Sequence, residues 1–334
     1  MTYISGNTIL ASDYNTIAWG SSLGNTFVDT PANAAVLFGT GVGRYGLGGS
    51  TTGIPAVVPY NINNPSDPNS TVAATQWSNL ITMVNNMRNY QIAGYSSIAP
   101  VVAGNPVAVI PQLSTQITNA AAAMGTCALS TVDSTATNLT WSSGTWGASG
   151  NRRLTFTQNL TFASGDAARY FFNAGGKVKI SFSRSGGTSN SRNTTWTNLL
   201  NACGTVVFGY MNTTKSAGSD TPTTIRNIDN GGYWNMTLTD VIHFKQYSPT
   251  APYNIDFVEV NAKWSGTASN GGYPTLTFTI HLENDYVGSF SQIADGNVTS
   301  SFVLSSPPTA HSNNYLGSTT WGVPAFPSGT VVDN

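Results

Sequence analysis

Residues 165–187 read GDAARYFFNAGGKVKISFSRSGG, and the period of the pattern changes in the middle. The first half predicts a short helix. Asp166 stands where it caps the N-terminus, Arg169 follows at the i, i+3 spacing of an ion pair, and Tyr170, Phe171 and Phe172 enter the core. Asn173, Gly175 and Gly176 supply the residues that tolerate left-handed dihedrals, so the helix ends there. From 177 to 183 apolar Val178, Ile180 and Phe182 alternate with Lys177, Lys179, Ser181 and Ser183, which is the period of a half-buried strand. Ser185, Gly186 and Gly187 break it. The stretch is a helix that turns into the first strand of a main sheet, and nothing in it is a catalytic motif.

Downstream the strand pattern repeats. Segments 205–210, 234–239, 241–247, 255–264, 275–283 and 298–304 are predicted strands, separated by Gly/Asn turns such as Asn230-Gly231-Gly232. The clearest is 275–283, where Leu276, Phe278, Ile280 and Leu282 alternate with polar partners. One helix interrupts the series: Trp196, Leu199, Leu200 and Cys203 share a face, and Gly204 stops it. Residues 130–150 predict loops and short strands carrying Trp141 and Trp146.

Upstream the chain predicts helices. Ile9, Ala11, Tyr14 and Ile17 recur at the same offsets as Val72, Ala74, Trp77 and Leu80, and the second copy continues through Ile81, Val84 and Met87 as one apolar stripe. That stripe runs for too few heptads to make a long coiled coil, so Trp77 and its neighbours are read as a core-packing face. A further helix spans 112–125 through Leu113, Ile117 and Met124. The expected fold is α+β, mainly β: a helical N-terminal attachment and oligomerisation region over 1–126, an antiparallel β-sandwich-like domain with covering helices over 127–306, and a Pro-, Gly- and Ser-rich tail over 307–334 that is extended along a neighbour or disordered.

Charge is the unusual quantity. Only 8% of 334 residues are Asp, Glu, Lys or Arg, against roughly a quarter in ordinary soluble domains. Ser, Thr, Asn and Gln carry the polarity instead, so copies repel one another little and the surface suits packing in an assembly or against a glycan. A formal net charge of -1 without a basic cluster excludes the footprint of a duplex-nucleic-acid binder. Cys127 and Cys203 have no metal spacing and are expected as free thiols. The first residues lack a signal-peptide pattern and no apolar run is long enough to cross a bilayer, so synthesis in a cytoplasm without membrane insertion is expected.

Tests for chemistry come back weak. Gly41, Gly43 and Gly46 form a GxGxxG, but neither the following helix nor the acid about 20 residues on that a dinucleotide site needs is there, so no cofactor is expected. Asp256, Glu259, Glu283 and Asp285 are the carboxylates from which a glycosidase pair would be drawn, yet both glutamates fall on polar strand faces. His243, His281 and His311 match no zinc or serine-triad spacing. Asp295-Gly296-Asn297 resembles half of a calcium loop without the completing Glu, and a turn explains it equally well, so no metal is expected. Asn-x-Ser/Thr triplets such as the one at Asn138 follow from composition. Trp141, Trp146, Trp264 and Trp321 are the aromatics that would contact a glycan if exposed.

Several stretches together carry a resemblance: Ile4-Ser5-Gly6-Asn7-Thr8-Ile9 with the following Ala11 to Asn15, Ile54-Pro55-Ala56-Val57 up to Trp77, and above all Arg169-Tyr170-Phe171-Phe172-Asn173-Ala174-Gly175-Gly176 followed by Ser183-Arg184-Ser185-Gly186-Gly187 and Trp196-Thr197-Asn198-Leu199-Leu200. The chain resembles virion structural proteins of tailed bacteriophages, notably a group in phages of aquatic bacteria such as cyanobacteria. The resemblance covers most of the chain and implies a non-enzymatic particle component, a fibre or appendage of neck, tail or baseplate. It further implies docking on other virion proteins through the N-terminal region, and a homo-oligomer with a trimer as first expectation. The alternatives are a receptor-binding module for host surface glycan and a polysaccharide depolymerase.

Overall fold

The structure, a computed structural model, describes residues 74–101, 110–142, 144–147, 152–226, 231–233, 236–267, 272–288, 293–316 and 321–334. The copy of the helical pattern at Ile9, the GxGxxG and the segment at Ile54 lie outside these residues. Among the described residues there are five helices and twelve strands, in a mainly β α+β fold.

Two antiparallel sheets face each other. The first has β1 (Val132–Asp133) and β2 (Thr137–Trp141) along one side of β11 (Asn297–Ser306), followed by β4 (Lys177–Ser185), β5 (Thr205–Phe208) and β6 (Thr213–Ser216). The second has the order β12 (Thr330–Asp333), β3 (Arg153–Thr161), β10 (Thr275–Glu283), β9 (Phe257–Ser265), β8 (Val241–Tyr247) and β7 (Thr224–Ile225). The late strand β11 thus lies between β2 and β4, and the late strand β10 between β3 and β9, as in a Greek-key sandwich. Alternation makes this possible, because on β3 and β10 and on most of β4 and β11 every second residue is buried. Aromatic edges meet across the gap: Phe278 of β10 lies 5.4 Å from Phe208 of β5 and 6.5 Å from Phe302 of β11, edge-on to the first and tilted to the second.

Helices close the ends. In α1 (Ala74–Gln91) the stripe Trp77, Leu80, Ile81, Val84 and Met87 is buried, packed against α2 (Ile110–Ala122) and against α5 (Thr309–Leu316) from the other end of the sequence. The short α3 (Gly165–Asn173) buries nearly its whole circumference, Phe172 stacking on Tyr233 at 4.6 Å. The fourth helix, α4 (Ser191–Cys203), contacts β4, β8 and β9 and therefore touches both sheets. It ends at Gly204, whose φ of 61° is open to glycine. Among the described residues no helix is long and apolar enough to cross a membrane.

Three expectations change. The helix at 165 is capped by Ser164, whose hydroxyl accepts from the Ala167 N–H at 3.1 Å, while Asp166 lies two places past the cap and makes the expected pair with Arg169. Of the strand expected over 234–239, residues 234–235 lie outside the described residues and 236–239 form no strand, because Thr237 turns its hydroxyl onto the Thr239 carbonyl and offers its own carbonyl to the Trp264 N–H. The tail is neither unstructured nor free, since α5 joins the helical layer and β12 completes the edge of β3. Composition missed this because main-chain pairing at a sheet edge makes little demand on side chains.

Candidate functional site

The Gly175–Gly176 turn is where the helical layer meets the sheets. Gly175 adopts φ 97°, and a Cβ there would lie 3.2 Å from the Gly125 carbonyl oxygen, while one on Gly176 would lie 2.4 Å from the Phe171 ring. Both positions therefore require glycine. Around the turn the Tyr90 hydroxyl donates to the Ala174 carbonyl at 2.7 Å and the Gly125 N–H to the Asn173 carbonyl at 2.8 Å. The Tyr90 carbonyl in turn accepts from the Ala128 N–H and lies 3.0 Å from His311 Nε2 of α5. Burial raises the Tyr90 pKa far above its ordinary value, so its hydroxyl stays a donor. Beside the turn runs a polar groove of about 570 Å³, bordered by Cys127, Ser130, Thr131, Lys177 and Lys179. Both cysteines are free thiols.

Of the tryptophans proposed for sugar stacking, Trp146, Trp264 and Trp321 are buried, which removes them as platforms. Trp146 packs on Trp196 at 4.8 Å, Trp264 on Tyr273 at 4.8 Å, and Trp321 edge-on to Phe171 at 6.3 Å. Trp141 is half-buried against the core. Trp77 and Trp196 are core residues, and the Trp196 indole donates to Asn284 Oδ1 at 3.1 Å. The reason is positional: an aromatic beside inward-facing neighbours contributes more by burying its large apolar area than by standing in water. Among the described residues the exposed aromatic is Tyr247, beside Phe257, whose ring centroid lies 3.5 Å from the Lys245 ammonium.

Three of the four candidate carboxylates, Asp256, Glu259 and Glu283, are held in ion pairs. Glu259 pairs with Lys245 at 3.2 Å and Glu283 with Arg153, and the β9–β10 register sets the two glutamates as diagonal neighbours on the outer face of the second sheet. His281 stands opposite Glu259 in that register and meets the Thr155 hydroxyl through Nδ1 at 3.2 Å. Asp256 is buried against Arg192 and accepts from the Tyr286 N–H at 3.0 Å; burial pushes its pKa up to about 6 despite those partners. Asp295 gathers donors, from the Thr188 N–H and hydroxyl, Asn193 Nδ2 and Arg184. The Asn193 amide first, then the other donors, hold its pKa below the usual carboxylate range, and a carboxylate so surrounded is the inverse of a calcium loop. Among the described residues no group of three or more His, Cys, Asp or Glu could hold a metal ion.

The outer faces of the sandwich are what remain for contact. On the first sheet Thr140 meets Thr299 at 2.9 Å and the Ser301 hydroxyl donates to Asn138 at 2.7 Å. Lys179 is neutralised by both oxygens of Asp133 at 2.8 Å, and Ser181 and Ser183 continue the row. The second sheet presents Thr155, Thr157, Thr277 and Thr279 beside three ion pairs, Arg153 with Glu283, Lys245 with Glu259 and Lys263 with Asp240. These faces are polar, satisfied across strands and nearly without net charge.

Sequence reasoning passed over the buried cluster of Arg192, Asp256, Tyr253 and Tyr286, in which the Arg192 guanidinium lies 4.5 Å from the Tyr253 ring centroid and 5.5 Å from that of Tyr286. A signal was present: Arg192 lies four residues before Trp196, on the apolar face of its helix. No protein-family model matches this chain, and no curated protein and no solved structure matches it either.

Proposed function

We propose that this chain is a non-enzymatic structural subunit of a tailed-phage virion, a fibre or appendage component that works as one of several copies packed among other virion proteins. The observation that carries the reading is the pair of outer sheet faces, on which hydroxyls and amides bond across strands and the few charges neutralise one another. Such faces meet other protein surfaces without burying unpaired charge. The engagement of Glu259, Glu283 and Asp256 in ion pairs supports a role outside catalysis. The test is mass spectrometry of purified particles together with light scattering on the isolated protein. Presence in particles and a defined homo-oligomer, a trimer by first expectation, are the expected results; absence from particles and a monomer at all concentrations would overturn the reading.

A second reading, contact with host surface glycan, is favoured by one feature, the exposed Tyr247 at the end of β8 beside Phe257. Binding on a glycan array that is lost in Tyr247→Ala would support it, and an array without signal would reject it.

A further inference from the structure

We propose that residues 324–333 form an exchangeable arm, and that the edge of β3 which holds this arm within one chain is also the site where a second copy's arm docks in the assembled protein. The inference rests on the reading of the chain as an assembly subunit and names the contact between its copies.

The arm is held as an added strand. Ala325 exchanges both main-chain hydrogen bonds with Thr161, at 2.8 and 3.0 Å, and β12 pairs with β3 from Thr330 opposite Thr157 to Asp333 opposite Leu154. Few side chains help: Pro324 is buried, Phe326 packs 5.8 Å from Phe302, and Val331 is half-buried. Gly329 lies so close to β3 that a Cβ there would sit 2.5 Å from the Thr157 carbonyl oxygen. Main-chain pairing with a few apolar anchors is the way an extended segment recognises a sheet edge, and it works equally within a chain or between chains.

The edge cannot be left empty. Gln158 points inward among Leu154, Phe156 and Leu160 with 0% of its surface exposed, and its amide reaches out of the core to donate to the Pro327 carbonyl at 2.6 Å. Without an arm that amide keeps only its bond to the Asn159 carbonyl, at 3.0 Å, and β3 presents an open edge prone to pairing with other chains.

The place where the arm would swing out is also defined. Trp321 is anchored against Phe171, and the next residue, Gly322, adopts φ 64° with no atom within 4 Å of where a Cβ would stand. Val323 follows with 94% of its surface exposed, the most exposed large apolar side chain among the described residues. A change of dihedrals at these two positions redirects the arm without disturbing Trp321 or the ladder at either end. Because the contacts are the same in both forms, concentration decides between them: a short tether gives an effective concentration in the millimolar range, which copies held side by side in a particle also reach.

The test places a cysteine pair across the joint, Thr155→Cys with Val332→Cys, which face each other in register. The protein is held either dilute or concentrated, oxidised, and run on a non-reducing denaturing gel beside each single variant. At about 1 μM the bond should close within the chain, whereas at about 1 mM covalent dimers and larger species should make up about half of the product. Only internally closed monomer at both concentrations, or no bond at either, overturns the inference. Thr157→Cys with Thr330→Cys, the next outward pair in register, repeats the measurement if the first pair folds poorly. Detection of the chain in particles alongside internal closure would reject the arm exchange and leave the proposed function standing; absence from particles would do the reverse.

Discussion

Arg192 and Asp256 form an ion pair with both side chains shut away from solvent, joining the first turn of α4 to the residue that precedes β9. The pair is boxed in by Tyr253 and Tyr286, and Arg192 also donates to the Tyr286 carbonyl at 3.0 Å. Desolvation lowers the arginine pKa and raises that of the aspartate, so each charge depends on the other to remain buried. Removing one partner strands the other. Arg192→Met or Asp256→Ala should each destabilise the protein by about 3–5 kcal/mol, whereas the double replacement Arg192→Met with Asp256→Leu should recover much of the loss. Denaturant unfolding of the three variants reads this directly.

Replacement of Gly175 by Val forces a β-branched residue to φ 97° within reach of Gly125 and Cys127. The expected loss is about 2–4 kcal/mol, seen as a lower melting temperature and reduced soluble yield. A wild-type melting temperature would mean that the turn is not the hub described above.

Tyr90→Phe deletes the hydroxyl that holds Ala174 while keeping the ring between α1 and α5. A loss of about 1–2 kcal/mol is expected. Hydrogen exchange should speed up in α1 and α5 more than in β10, because the bond ties the helical layer to the sheets and not the sheets to each other.

His243 is buried against Phe208, with Nδ1 2.9 Å from the Gly231 carbonyl, and burial pulls its pKa from 6.5 to about 4. The folded pKa is depressed, so the unfolded chain takes up the proton more readily. Stability from this group is present above pH 6.5 and is lost as pH falls towards 4, about 3 kcal/mol in all. Asp256, raised from 3.8 to about 6, acts in the opposite sense: its contribution is fully present below pH 3.8 and is lost as pH rises through 6. The comparison is therefore made within one background. His243→Gln should reduce the stability lost between pH 7 and 4.5 by about 2 kcal/mol relative to the parent.

The alternation on β4 and β10 made these strands legible residue by residue, and Trp196, Leu199, Leu200 and Cys203 marked the buried face of α4. Two kinds of residue were not legible. Arg192 and Gln158 look like surface residues by type, and their roles depend on Asp256 and Pro327, 64 and 169 positions away, which no local pattern encodes. The aromatics failed for the opposite reason. Composition around Trp146 reads as loop, yet the chain there bridges to Ala294 and turns the indole onto Trp196.

The packing of α1 on α5 also sets a timetable. Tyr90 and His311 are 221 positions apart, so on a ribosome adding about 5–20 residues per second the apolar stripe of α1 emerges about ten to forty seconds before the helix that covers it. During that interval α1 lacks the packing that α5 supplies, and the long-range pairing of β2 with β11 also waits for late residues. The apolar stripe of α1 thus stays uncovered on that side until synthesis reaches α5, and the helical layer closes only once both segments are present.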